Sequence, residues 1–124
     1  MRQLSIVIIA FCVFMIIVLS GLWLKKSGKP YHAIVLAVHK LVSTAGAVFI
    51  AYTCYQYQQA NPLSSAELIA CISLAVLFLA AIVTGGLIST ARQMPSIIST
   101  LHNVSTYSSI LITGVVLYML RDRL

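Results

Sequence analysis

Four long runs of apolar residues, each ended by a short polar stretch, divide the sequence into similar quarters. They extend from Leu4 to Leu24, Tyr31 to Tyr55, Ala66 to Thr90 and Ile97 to Leu120. A helix needs about 20 apolar residues to cross a hydrocarbon core of about 30 Å, and each run meets that length. The pattern predicts an all-α integral membrane protein with one transmembrane domain over residues 1–124. The connections are short: KKSGKP at Lys25–Pro30, QYQQANPLSS at Gln56–Ser65 and ARQMPS at Ala91–Ser96. Such connections make consecutive helices antiparallel neighbours, which predicts an up-down-up-down four-helix bundle. Pro30, Pro62 and Pro95 each stand at or just before an expected helix start, where a missing N–H does no harm.

The first run follows Arg2 and has small residues near its end, at Val18–Gly21, as a secretory signal would. Its apolar stretch is longer than a typical signal core, so it is expected to remain as a span. Composition agrees: 60% of the 124 residues are hydrophobic and 8% are charged, far from the balance of a water-soluble domain. The net charge of +6 would suggest nucleic acid in a soluble protein. Here the basic residues gather near helix ends, where they act as topology signals and contact lipid headgroups, and nucleic acid is not an expected partner. Loops one and three share a side and carry Lys25, Lys26, Lys29 and Arg92, against Arg2, Arg121 and Arg123 on the other. That excess of four over three predicts loops one and three in the cytoplasm and both termini outside. Trp23, Tyr31, Tyr52, Tyr55, Tyr57 and Tyr118 fall near run ends, as interfacial anchors. Cys12, Cys54 and Cys71 have no metal-binding spacing and read as small buried residues, with a Cys54–Cys71 bridge across the second hairpin as an option.

Ionisable groups within a membrane are costly, so each needs an account. Glu67 opens the third run and Asp122 follows the fourth, which leaves no carboxylate at a helix centre. A small proton-coupled multidrug exporter, similar in outline, would require one. The histidines differ. His39 lies eight residues past Tyr31 and His102 seven past Pro95, on helices that start from the same side, so the imidazoles are expected at nearly equal depth. Along the face of His39 follow Val42, Ser43, Gly46 and Ala47; along that of His102 follow Ser105, Thr106, Ser109 and Ile110. Small residues in those seams permit either close helix packing or a large flat group between helices two and four.

Two imidazoles fit haem, whose porphyrin supplies the other four iron ligands, better than zinc, which takes three or four protein ligands. His39 and His102 are the candidate axial ligands of one haem b per chain, with Ser43, Gly46, Ser105 and Ser109 beside it. His32, near the mouth of helix two, suits an interfacial or propionate-contact role. Lys40 either snorkels to the loop-one surface or, with Lys29 or Arg92, neutralises haem propionates.

In helix count and in the placement of His39 and His102, the chain resembles a small membrane-bound b-type cytochrome of the four-helix cytochrome b superfamily. That superfamily includes cytochrome subunits of respiratory dehydrogenases, superoxide-oxidising cytochromes and ferric reductases. Many members hold two haems on four histidines; this chain has three histidines, which leaves one haem. The resemblance implies electron transfer between quinone or quinol in an inner membrane, bacterial or organellar, and a partner protein, or service as the cytochrome subunit of a larger complex. Two rival functions remain: a colourless structural or anchor subunit, and a small transporter lined by Asn103, Ser105, Thr106 and the histidines, which would require a homo-oligomer.

Overall fold

Gly28 ends the first helix. In the computed structural model of the chain, which describes residues 2–90 and 92–123 and all their side chains except those of Arg2 and Gln3, α1 spans Arg2–Ser27. Gly28 then takes a positive φ of 69°, and its N–H donates to the Leu24 carbonyl. A residue without Cβ adopts that left-handed conformation at little cost and closes the last turn. The other helices are α2 (Ala33–Ala60), α3 (Ser65–Ile88) and α4 (Ser96–Leu120), and a single 3₁₀ turn follows at Arg121–Arg123. All four helices are long and apolar enough to cross a membrane. Every regular element among the described residues is helical, so the chain is an all-α, multi-pass integral membrane protein.

The helix ends depart from the apolar runs in an instructive way. α2 begins two residues after Tyr31 and continues five residues past Tyr55, through Gln56, Gln58 and Gln59. The end of hydrophobicity marks where the chain leaves lipid; glutamine is a competent helix former, and the helix continues into the polar layer. Ala91, in the third connection, lies outside the described residues.

The chain forms two compact units, Met1–Phe49 and Ile50–Leu124, with the boundary inside α2. In the first, α1 buries Ala10, Ile17 and Leu24, one residue every seven. Ser20 meets His39, while a Cβ at Gly46 would come within 2.9 Å of Val13 Cγ1. Partner numbers rise on one helix as they fall on the other, so α1 and α2 run antiparallel. Cys12, expected to be buried, is exposed, because two residues from Ala10 is more than half a turn away from the packed stripe.

In the second unit, the end of α2 meets α3 at Cys54 and Cys71, and α3 meets α4 and the 3₁₀ turn after it from His102–Ala81 at one end to Arg123–Glu67 at the other. Both hairpins are antiparallel. α4 buries Ser105, Ser109, Thr113, Val116 and Leu120, a stripe spaced by three and four residues. Ser109 and Thr113 each donate to the carbonyl four residues back, both at 2.7 Å, so small polar residues line this packed face with their hydroxyls satisfied on their own helix.

Elsewhere large apolar side chains are exposed on every helix, including Phe11, Ile34, Leu41, Leu79 and Leu111. Water would drive such surfaces to associate, whereas lipid solvates them. At the interface, the Arg121 guanidinium lies 4.0 Å from the centroid of the Tyr118 ring.

The start of α3 carries a reciprocal cap: the Glu67 N–H donates to the Ser64 hydroxyl, and the Ser64 N–H donates to the Glu67 carboxylate. Arg123 donates from Nε to Glu67 at 2.9 Å and from Nη1 to the carbonyls of Asn61 and Pro62. This cluster ties the end of α4 to the α2–α3 loop. Ser64→Ala is expected to cost about 1 kcal/mol, the usual value of an N-cap, read as a lower thermal midpoint in detergent that Ser64→Thr recovers.

Candidate functional site

His39 and His102 are each half-buried, and each lies six residues past the first residue of its helix, Ala33 for α2 and Ser96 for α4. The ring of His39 reaches back to α1, where its Nδ1 is 2.9 Å from Ser20 Oγ. Ser20 has one hydroxyl proton, which it donates at 2.6 Å to the carbonyl of Ile16. With that proton directed at Ile16, the Ser20 oxygen accepts from the imidazole, and we assign Nδ1 of His39 as the protonated nitrogen.

The ring of His102 repeats the arrangement against α3. Its Nδ1 lies 2.9 Å from the Ala81 carbonyl, which can only accept, so Nδ1 again is the protonated nitrogen. Thr84 Oγ1 stands 3.2 Å from the same atom and gives its own proton to the Ala80 carbonyl at 2.6 Å. Both imidazoles are thus held as the tautomer that places the basic lone pair on Nε2. The orientation of one ring nitrogen by a hydrogen-bond acceptor is the usual support behind a metal-binding histidine.

Glycine makes both contacts close. A Cβ at Gly21 would lie 3.1 Å from His39 Cε1, and one at Gly85 would lie 2.9 Å from His102 Cε1. The same edge of each ring thus rests against helix backbone. Gly86, the next residue after Gly85, has open space around it. Ser20, Gly21, Ala81 and Thr84 are unremarkable residues individually. Their signal in the sequence is recurrence: a hydroxyl–glycine dipeptide, Ser20-Gly21 or Thr84-Gly85, starts 19 residues before His39 and 18 before His102.

The other sequence candidates occupy varied settings. His32 is exposed just ahead of α2, and its carbonyl accepts from the Leu36 N–H. Lys40 is exposed on α2 and Arg92 is exposed in loop three. Ser43 is half-buried, and Gly46 is buried against Val13 and Ile17 of α1. Ser105 and Ser109 belong to the packed stripe of α4, at 7% and 2% exposure. Among the described residues no three His, Cys, Asp or Glu side chains gather as a metal-binding group. The available donors are single imidazoles, one in each unit. No protein-family model matches the sequence, and no curated protein or solved structure matches the chain.

Proposed function

We propose that the chain is a membrane-bound b-type cytochrome in which His39 and His102 are the two axial ligands of one haem b. The observation that carries this reading is the repeated setting of the two imidazoles. Each presents the Nδ1–H tautomer, each is oriented by an acceptor on the preceding helix, and each rests on a glycine. This donor set suits a group that needs two neutral nitrogens from the protein and brings its remaining ligands itself. When bound, haem would be held by His39 and His102 and would supply one-electron redox chemistry, which suits electron transfer.

The roles of this chain's own residues follow from that assignment. Ser20, Ala81 and Thr84 hold the proton on Nδ1 and fix the ring planes. Gly21 and Gly85 leave room for the rings against the helices. Lys40, Arg92 and Lys29 are the cations for propionates, with His32 at the interface, and Ser43, Gly46, Ser105 and Ser109 are the small residues along the two ligand-bearing faces. Quinone or quinol in the bilayer and a partner protein, or a larger redox complex, are the proposed electron donor and acceptor. Loops one and three face the cytoplasm on the strength of Lys25, Lys26, Lys29 and Arg92.

A colourless anchor subunit is the competing reading, since each histidine is also satisfied by its hydrogen bond across a helix pair. A visible spectrum of the purified protein, oxidised and then reduced with dithionite, separates the two. A Soret band with sharp reduced b-type bands is expected; a spectrum without them rejects the cytochrome assignment.

The orienting bonds give a graded test. Ser20→Ala is expected to weaken haem binding roughly tenfold, the scale on which such outer partners act, measured by titrating apo-protein and following the Soret absorbance. Thr84→Val keeps the Ala81 carbonyl as acceptor for His102 and is expected to cost less than roughly tenfold.

A further inference from the structure

The second unit holds another pair of reactive groups, well separated along α3 and α4 from His102. Cys54 of α2 and Cys71 of α3 bring their sulfur atoms within 2.7 Å, and both are half-buried free thiols. Cys54 lies six residues before Ala60, the last of α2, and Cys71 six after Ser65, the first of α3. At 1.5 Å per residue each is about 9 Å from its helix end. Tyr55, Gln56, Gln58 and Gln59 are exposed immediately beyond Cys54, which places the thiols beneath the polar layer and within reach of small aqueous reagents.

The hairpin that presents them is fixed by several bonds. The Ser64–Glu67 cap sets the start of α3, and Arg123 bonds Glu67 together with the carbonyls of Asn61 and Pro62 between the helices. Held in this register, the sulfurs need only a small further approach to reach the covalent distance of about 2.05 Å. Compartment points the same way. Loops one and three carry Lys25, Lys26, Lys29 and Arg92, against Arg2, Arg121 and Arg123 on the side of the α2–α3 connection, so the positive-inside preference puts this end of the hairpin on the outer, more oxidising side.

We propose that Cys54 and Cys71 are a thiol–disulfide site, closing to an intramolecular bridge that joins α2 to α3 and reopening on reduction, with a disulfide-bearing molecule as oxidant. The reaction is two exchanges. One cysteine, as thiolate, attacks a sulfur of the oxidant, forms a mixed disulfide and expels the first thiolate, which takes up the proton that the cysteine lost. The second cysteine then attacks the cysteine sulfur of that mixed disulfide, expels the second thiolate and passes its proton to it. Two cysteine thiols are oxidised, and one external disulfide is reduced to two thiols. Electrons and protons balance with no other reactant, and the site is independent of the haem assignment.

The test uses the full-length protein in detergent, incubated with oxidised glutathione and then alkylated and mapped by mass spectrometry. The expected product is alkylated at Cys12 alone and contains a linked peptide pair bearing Cys54 and Cys71; dithiothreitol returns all three cysteines to the alkylating reagent. In Cys54→Ser the resolving thiol is gone, and glutathione is expected to remain on Cys71. Alkylation of all three cysteines after oxidation, glutathione retained on the wild-type pair, or a link that involves Cys12 or a second chain would each overturn the proposal.

Discussion

Purified His39→Ala and His102→Ala proteins are each expected to lose the reduced b-type bands, with haem content more than roughly tenfold below wild type. That is the scale of an outer-partner mutation, and removal of a ligand should exceed it. Each substitution also removes a ring that packs against a glycine, so a general packing defect must be separated from loss of ligation. Two controls do this. Imidazole added to the medium can enter the space vacated by the ring and restore ligation, which would recover part of the Soret absorbance in both variants. His32→Ala, at an exposed residue ahead of α2, is expected to leave the spectrum unchanged. Bands of full intensity in either His39→Ala or His102→Ala would remove that residue from the ligand set. Equal losses in all three histidine variants would point to instability of the protein instead.

Most of the architecture could be read from apolar run length and the prolines, because a membrane constrains helix length and burial of backbone polar groups more severely than water does. The positions of Pro30, Pro62 and Pro95 anticipated where α2, α3 and α4 start to within three residues. Helix C-termini were less legible. α2 outlasts its apolar run because backbone hydrogen bonding does not stop where lipid stops, whereas α1 ends at Gly28 for a conformational reason that hydropathy does not record.

The setting of the imidazoles was half legible. His39 and His102 stand out because a polar ring in an apolar helix is costly, but the residues that satisfy them depend on the register between helices, a long-range property of packing. Ser20 could be recognised only after the contact with His39 showed its oxygen to be the acceptor for the ring, and Ala81 contributes through its backbone carbonyl, which no side-chain pattern can reveal. Cys12 was misread because cysteine's general preference for burial was applied without the phase of α1: Ala10, Ile17 and Leu24 define the packed stripe, and Cys12 is off it.

Gly85→Ala and Gly86→Ala are expected to have opposite effects although the residues are adjacent. A Cβ at Gly85 would stand 2.9 Å from His102 Cε1, closer than carbon atoms approach without displacement, while a Cβ at Gly86 meets nothing within 4 Å. At Gly86 the new methyl group removes backbone freedom from the unfolded chain, and the variant should be more stable by about 0.5–1 kcal/mol. At Gly85 the ring or the helix must move. Rotation of the ring would break the bond from Nδ1 to Ala81, and separation of α3 from α4 would disturb the packed stripe, so a loss of about 1–3 kcal/mol is expected. Gly21→Ala, with its contact at 3.1 Å from His39 Cε1, belongs at the lower end of that range. Thermal midpoints measured in one detergent rank the three variants, and the haem content of each, measured in parallel, reports the ring. A drop in haem content for Gly85→Ala and Gly21→Ala, with Gly86→Ala unchanged, ties the imidazole positions to cofactor retention. If Gly85→Ala matches Gly86→Ala in both measurements, His102 does not rest on α3 in the working protein, and its orientation by Ala81 fails as the basis for ligation.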